Sequence, residues 1–168
     1  MKFQRNPTYR TEIEFELKHS QEEVLFLLHN FEAFFGMNPA VLECKQDVSD
    51  PDMWHITEAI TLPLGLPNSS TSFKARMNRT STGFTAHSWA ALGVETTSEW
   101  TIIPPPQTSS RSSKTGTHTR LRIVGTLQAP FWTFSFVKGQ YRKIHAETES
   151  RVKKTLAERS PKQLGELI

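Results

Sequence analysis

From Tyr9 to Leu17 the chain alternates without a break. Tyr9, Thr11, Ile13, Phe15 and Leu17 have one parity, and Arg10, Glu12, Glu14 and Glu16 have the other. A two-residue period of this kind predicts a strand with one face in water. Ser20-Gln21-Glu22-Glu23 then carries the residues of a capping box, in which hydroxyl and carboxylate satisfy free amide donors at a helix start. Val24, Leu25, Leu27, Leu28 and Phe31 supply that helix with an apolar face, and a second short turn, Glu32 to Gly36, ends at Asn38-Pro39. Five strands are predicted next: Leu42–Val48, Trp54–Leu62, Ser72–Thr80, Gly83–Ala91 and Val94–Ile103. Turn residues at hairpin spacing separate them.

The stretch from Pro104 to Thr117 is polar and rich in Pro, Ser and Thr, which predicts a mobile loop inside one domain, not a linker between two. Thr117 to Ala129 makes a last strand. Pro130 opens the final element, because proline is tolerated in a helix's first turn. Phe134, Val137, Tyr141, Ile144, Thr148, Val152 and Leu156 recur at three- and four-residue steps, one face of a long helix that Pro161 closes. The expected class is therefore α+β: a curved antiparallel sheet of about seven strands around a long C-terminal helix, with a short helical pair after the first strand. Residues 1–168 form one domain in this reading, with its core at 9–159. Between sheet and helix there is room for a bulky apolar molecule.

Composition narrows the function classes. A chain of 168 residues suits one domain with a real core. The net charge of +3 is mild, and the basic residues are spread apart from clusters at Arg111 to Lys114 and Arg151 to Lys154, which argues against nucleic acid as a partner. Cys44 is the only cysteine, so no intrachain disulfide or multi-cysteine metal site can form, and its parity with Leu42 and Val48 predicts a small buried hydrophobe. No apolar run of ~18 residues predicts a membrane span, and none follows Met1 as a secretory signal would, so the expected location is the cytoplasm. The six histidines lack metal-site spacing, and no glycine-rich phosphate loop or nucleophile elbow occurs, so no cofactor is expected.

The order of elements resembles the helix-grip fold of the SRPBCC superfamily, which includes START lipid-transfer domains, the birch-pollen-allergen family and aromatic polyketide cyclases. The resemblance runs from Tyr9 to Arg159. Its local echoes are the helix end Leu27-Leu28-His29-Asn30 and the lead Met37-Asn38-Pro39-Ala40-Val41, which look like a fungal stand-alone branch of the superfamily. A lipocalin-type barrel would not place a helix after its first strand, and a nuclear-transport-factor-like cone ends on strands. The resemblance implies either a cyclase, closing a ring on a reactive polyketide with or without lactonisation and release, or a carrier for a lipid, sterol or pigment.

Parity selects the candidate residues. Glu58 shares its face with Trp54, Ile56, Ile60 and Leu62 and should point inward, where burial raises a carboxyl toward a useful acid/base range; at a sheet edge it would simply reach solvent. Arg79, sharing a face with Phe73, Ala75 and Met77, is its expected partner or an oxyanion holder, unless it projects from the strand end into water. His87 and Trp89 compete with Phe84, Ala86 and Ser88 for the inner face, and the bulk of Trp89 favours His87 inside as a proton carrier. Tyr141 on the helix stripe could donate to an enolate, with His145 one turn on, either beside it in the cavity or on the surface. Trp54, Phe73, Met77, Trp89, Trp100 and Phe134 are the expected walls. The partners implied are a hydrophobic small molecule, a polyketide above all, and an acyl carrier protein meeting Arg111 and Lys114. The oligomeric state stays open between monomer and homodimer.

Overall fold

The computed structural model describes residues 6–60, 69–103 and 118–158. Strand β1 (Thr8–Leu17) leads into helices α1 (Gln21–His29) and α2 (Phe31–Gly36). Strands β2 (Val41–Gln46), β3 (Met53–Ile60), β4 (Ser69–Thr80), β5 (Gly83–Ala90), β6 (Val94–Ile103) and β7 (Thr119–Gln128) follow, and helix α3 (Phe131–Glu158) ends the described chain. The capping box is formed in full: the Glu23 amide donates to Ser20 Oγ at 3.2 Å and the Ser20 amide to Glu23 Oε2 at 2.8 Å. The mobile loop expected at 104–117, with Arg111 and Lys114, lies outside the described residues, as does Pro161.

All seven strands form one antiparallel sheet in the order β1-β7-β6-β5-β4-β3-β2. Its inner face is set by the first and last pairings, where Ile13 opposes Ile123 and Phe15 opposes Leu121, all four turned inward. Helices α1 and α2 close one end of that face. There Phe84 is wholly buried against Phe31, Phe34 and Trp100, with ring centroids 5.5, 4.8 and 5.6 Å away. Leu17, Leu27, Leu28, Met77 and Leu121 complete a dry core. Sequence parity therefore assigned Met77, Trp54 and Trp100 to the correct face, but they are core residues at the closed end and not cavity wall.

Two local features depart from simple alternation. Strand β2 bulges between Val41 and Glu43, so Leu42 is pushed out to 64% exposure, and Val48 falls in the turn beyond the strand. Only Cys44 of that trio keeps the inward position expected of it, and burial raises its thiol pKa. Between β5 and β6 the chain turns through Ala91-Leu92-Gly93 with Leu92 at φ 63°. That left-handed conformation costs a side-chain-bearing residue about 1–2 kcal/mol, and Leu92 recovers none of it by packing, since it is 64% exposed.

Candidate functional site

Helix α3 packs most closely on β1, β7 and α1. On β5 and β6 the inner face carries small side chains between Met77 of β4 and Leu127 of β7. The registers align Ala86 with Ser98 and Ser88 with Thr96, and all four stay half-buried. Gly125 of β7 continues the row opposite Ser98 and Thr11. Small residues in this row leave helix α3 less to pack against than bulky ones would, a trough in the side-chain surface of the sheet; Phe73 on β4 and Phe134 on α3 are likewise half-buried.

Tyr141 reaches from α3 to the floor of this trough. A Cβ placed on Gly125 would stand 2.2 Å from the Tyr141 hydroxyl, 3.1 Å from His145 Cε1 and 3.2 Å from Thr11 Oγ1. The glycine is thus what lets three side chains converge on one point of the sheet. The Tyr141 hydroxyl is buried and has no well-formed hydrogen bond among the described residues. Burial raises its pKa, partly opposed by the Thr11 hydroxyl nearby, so the phenol stays protonated and able to donate. His145 stacks against Tyr141 with ring centroids 4.3 Å apart, and its Nδ1 lies 3.4 Å from Thr11 Oγ1. Burial lowers the His145 pKa, so near neutral pH the imidazole is uncharged and can accept a proton.

Glu58 occupies a second polar centre. It points inward and is half-buried, and desolvation raises its pKa against the opposing pull of Asn38 and Arg151. Asn38 Nδ2 donates to Glu58 Oε1 at 2.9 Å, while Asn38 Oδ1 accepts from Arg151 Nη1 at 3.0 Å and from the Ala40 amide at 3.1 Å. Arg151 also donates to Glu147, one turn back on α3. This chain of contacts ties β3, the approach to β2 and α3 together. Arg151 and Tyr141 stand ten residues apart on α3, about 15 Å along its axis. Glu58 and Tyr141 therefore stand toward different ends of helix α3.

A carboxyl whose pKa is raised on folding binds its proton more tightly in the folded state. Its contribution to stability is present at low pH and lost as pH rises through the folded value. Replacing Glu58→Gln should leave a protein at least as stable above that window, with a flatter dependence of unfolding free energy on pH. Urea titrations from acid to neutral pH measure this; an unchanged slope would show that the carboxyl is not strained by burial.

Two expected partners lie elsewhere. Arg79 was expected beside Glu58, but antiparallel pairing runs β4 backward along β3, so Glu58 opposes Thr71 and Arg79 lies beyond the strand's far end. Its Nε and Nη2 donate to the His29 carbonyl at 3.1 and 3.0 Å, and its guanidinium sits 4.6 Å from the centre of the Phe31 ring. Arg79 and His29 instead fasten α1 to the β4–β5 hairpin, since His29 Nε2 donates toward the carbonyls of Thr80 and Gly83. His87 and Trp89 were expected inside and are on the outer face, because Phe84 opposes Trp100 and the other parity is thereby fixed. His87 there stacks on Trp89 at 4.0 Å, approaches Glu95 at 3.4 Å, and edges an open groove of about 330 Å³ with Asn78, Thr85, Thr97 and Glu99.

Sequence reasoning overlooked Thr11, Gly125, Asn38 and Arg151. Gly125 did carry a signal, since a lone glycine inside a strand marks a close approach. Asn38 had been read as the end of a helical turn and as part of the lead into β2, and Arg151 only as one of a basic cluster.

The fold recurs in solved structures. An aromatase/cyclase, Zhui from Streptomyces sp. R1128, superposes with a TM-score of 0.66 at 8% identity, covering 91% of this chain and 96% of that one. Ara h 8.0201 gives 0.59 at 8% identity, covering 91% and 100%. Norcoclaurine synthase from Thalictrum flavum gives 0.59 at 10% identity, covering 92% and 90%. At such identities the likeness is one of fold, and that fold is the helix grip. Among curated proteins none matches the chain. A family model described as a domain of unknown function, DUF7053, matches residues 6–158, and the chain belongs to that family.

Proposed function

We propose that this protein binds a hydrophobic, oxygen-bearing polyketide in the trough between α3 and the sheet and closes a ring on it by acid/base chemistry. The observation that carries this reading is the buried Tyr141 hydroxyl, which lacks a well-formed hydrogen bond and sits beside an imidazole that burial keeps neutral. A buried donor without such a bond gains by meeting a ligand oxygen, and the neighbouring neutral base supplies the second half of a proton transfer. The shared fold with an aromatase/cyclase supports the same reading without assigning any residue.

In the version that releases its product, His145 takes the proton of an enol hydroxyl on the substrate. The enolate oxygen attacks the thioester carbonyl, and the oxyanion that forms accepts from the Tyr141 hydroxyl. The C–O bond of the lactone is made, the C–S bond breaks, and the thiolate leaves with the proton held by His145. Glu58, tied to Asn38 and Arg151, holds a polar group at the other end of the cavity. Phe73 and Phe134 form the apolar walls.

Linear polyketide acyl-thioesters incubated with the purified protein test this. Ring-closed, thiol-released product should form, and Tyr141→Phe should slow it by about 10²–10³-fold. The rate should fall in acid as His145 protonates, with the limb below the ordinary histidine range. A second reading, a carrier that binds without turnover, is favoured by the separation of Glu58 from Tyr141, which leaves one donor–acceptor pair at the floor. A small molecule retained in native mass spectrometry, with thioesters decaying no faster than in buffer, would establish the carrier and retire the catalytic roles.

A further inference from the structure

The start of α3 presents its largest apolar side chains to solvent. Phe131 is 73% exposed, Trp132 62% and Phe136 43%. The β5–β6 turn stands next to them, with a Cβ placed on Gly93 meeting the Pro130 ring at 3.6 Å. That turn displays Leu92, held in the left-handed region where asparagine or glycine is the ordinary occupant. A bulky apolar side chain kept exposed on a strained backbone points to a use outside the fold. Single exposed apolar residues are commonplace; four around one corner are not.

Along this part of α3 the charge has one sign. Between Phe131 and Ala146 the helix carries Lys138, Arg142 and Lys143 and no acidic residue. Arg142 and Lys143 are exposed; helical spacing sets Lys143 in line with Trp132 and Phe136, and Arg142 in line with Phe131. Seven residues separate Phe136 from Lys143, about 10 Å along the helix. If the aromatic tip sank about 5–10 Å into a bilayer interface, those cations would stand at the level of the phosphates.

We infer that Leu92, Phe131, Trp132 and Phe136, with Arg142 and Lys143 behind them, dock the protein on an anionic phospholipid membrane. The docking is peripheral: no described helix is long and apolar enough to cross a bilayer. A second copy of the chain fits the surface less well, because a two-fold contact at this corner would bring Arg142 and Lys143 of one copy toward those of the other. The inference stands apart from ring closure, since it concerns the outward face of α3 and the trough lies on the inward face.

Cosedimentation of the full chain with vesicles tests it, comparing phosphatidylcholine alone with phosphatidylcholine plus phosphatidylserine. Binding should require the anionic lipid and should disappear in Phe131→Ser/Trp132→Ser. Arg142→Ser and Lys143→Ser should each weaken it about fivefold. Leu92→Asn should reduce binding while the melting temperature holds or rises, so that loss of binding cannot be ascribed to unfolding. Absence of vesicle binding, binding indifferent to lipid charge, or a homodimer in sedimentation equilibrium that Trp132→Ser dissociates would each overturn the inference.

Discussion

Gly125→Ala should abolish the activity of the trough while leaving a folded protein. The new methyl group would stand 2.2 Å from the Tyr141 hydroxyl, far inside contact distance, and tighter than normal against His145 and Thr11. Since the closest atom is the end of a side chain and not backbone, the structure can yield by swinging Tyr141 away from the sheet. Overpacking of this kind costs about 1–3 kcal/mol, less than the whole stability of an ordinary domain. Turnover or ligand retention should fall as far as in Tyr141→Phe, because the hydroxyl is present but misplaced. The double variant Gly125→Ala/Tyr141→Phe removes the oxygen that clashes and should recover stability without recovering function. Thermal melts of the four proteins, run beside the thioester assay, measure both effects. Additive stability losses would show that Gly125 and Tyr141 do not meet.

Phe84→Ala should have the largest effect on stability. The ring is wholly buried, stacks on Trp100 at 16°, and meets Phe31 and Phe34 edge-on. Truncating such a side chain costs about 3–5 kcal/mol, against a total of about 5–15 for a domain. The urea midpoint should fall steeply with its slope unchanged. A drop below about 1 kcal/mol would mean that the aromatic cluster can collapse onto the space, which its interlocked edges argue against. The loss should also reach α1, since Phe31 begins α2 directly beyond it and Arg79 holds the His29 carbonyl.

The element order, the capping box and the facing of β3 were legible because each is written in local terms: a period of two, four consecutive residues, a run of bulky side chains. Glu58 could be placed inward from its neighbours Trp54 and Ile56 alone. The facing of β5 was not legible, and the reason is physical. Bulk usually marks the buried face, but under α3 the inner face must carry small residues to keep the trough open. Ala86 and Ser88 therefore turn inward and His87 and Trp89 outward, reversing the usual sign. Arg79 was misplaced for a different reason: side-by-side strands share neighbours only in register, and antiparallel pairing carries Arg79 away from Glu58. The meeting of Thr11, Gly125, Tyr141 and His145 joins the two ends of the chain, so no local pattern announces it.

Among the described residues strand β1 pairs only with β7, Thr8 opposite Gln128 and Leu17 opposite Thr119. During synthesis β1 must wait for β7, made about a hundred residues later, while β2 to β6 zip up as successive hairpins. Throughout that interval its apolar row, from Tyr9 to Leu17, has no sheet to lie on. Arg10, Glu12, Glu14 and Glu16 intervene, of which Glu14 and Glu12 later meet Arg120 and Arg122 across the strand pair, and until then the four charges guard the strand against wrong pairing. Lone strands studded with charge are poor templates for a neighbour on the same messenger. Closure of this sheet should thus come last at β1, with the charge on that strand limiting stray pairing until then.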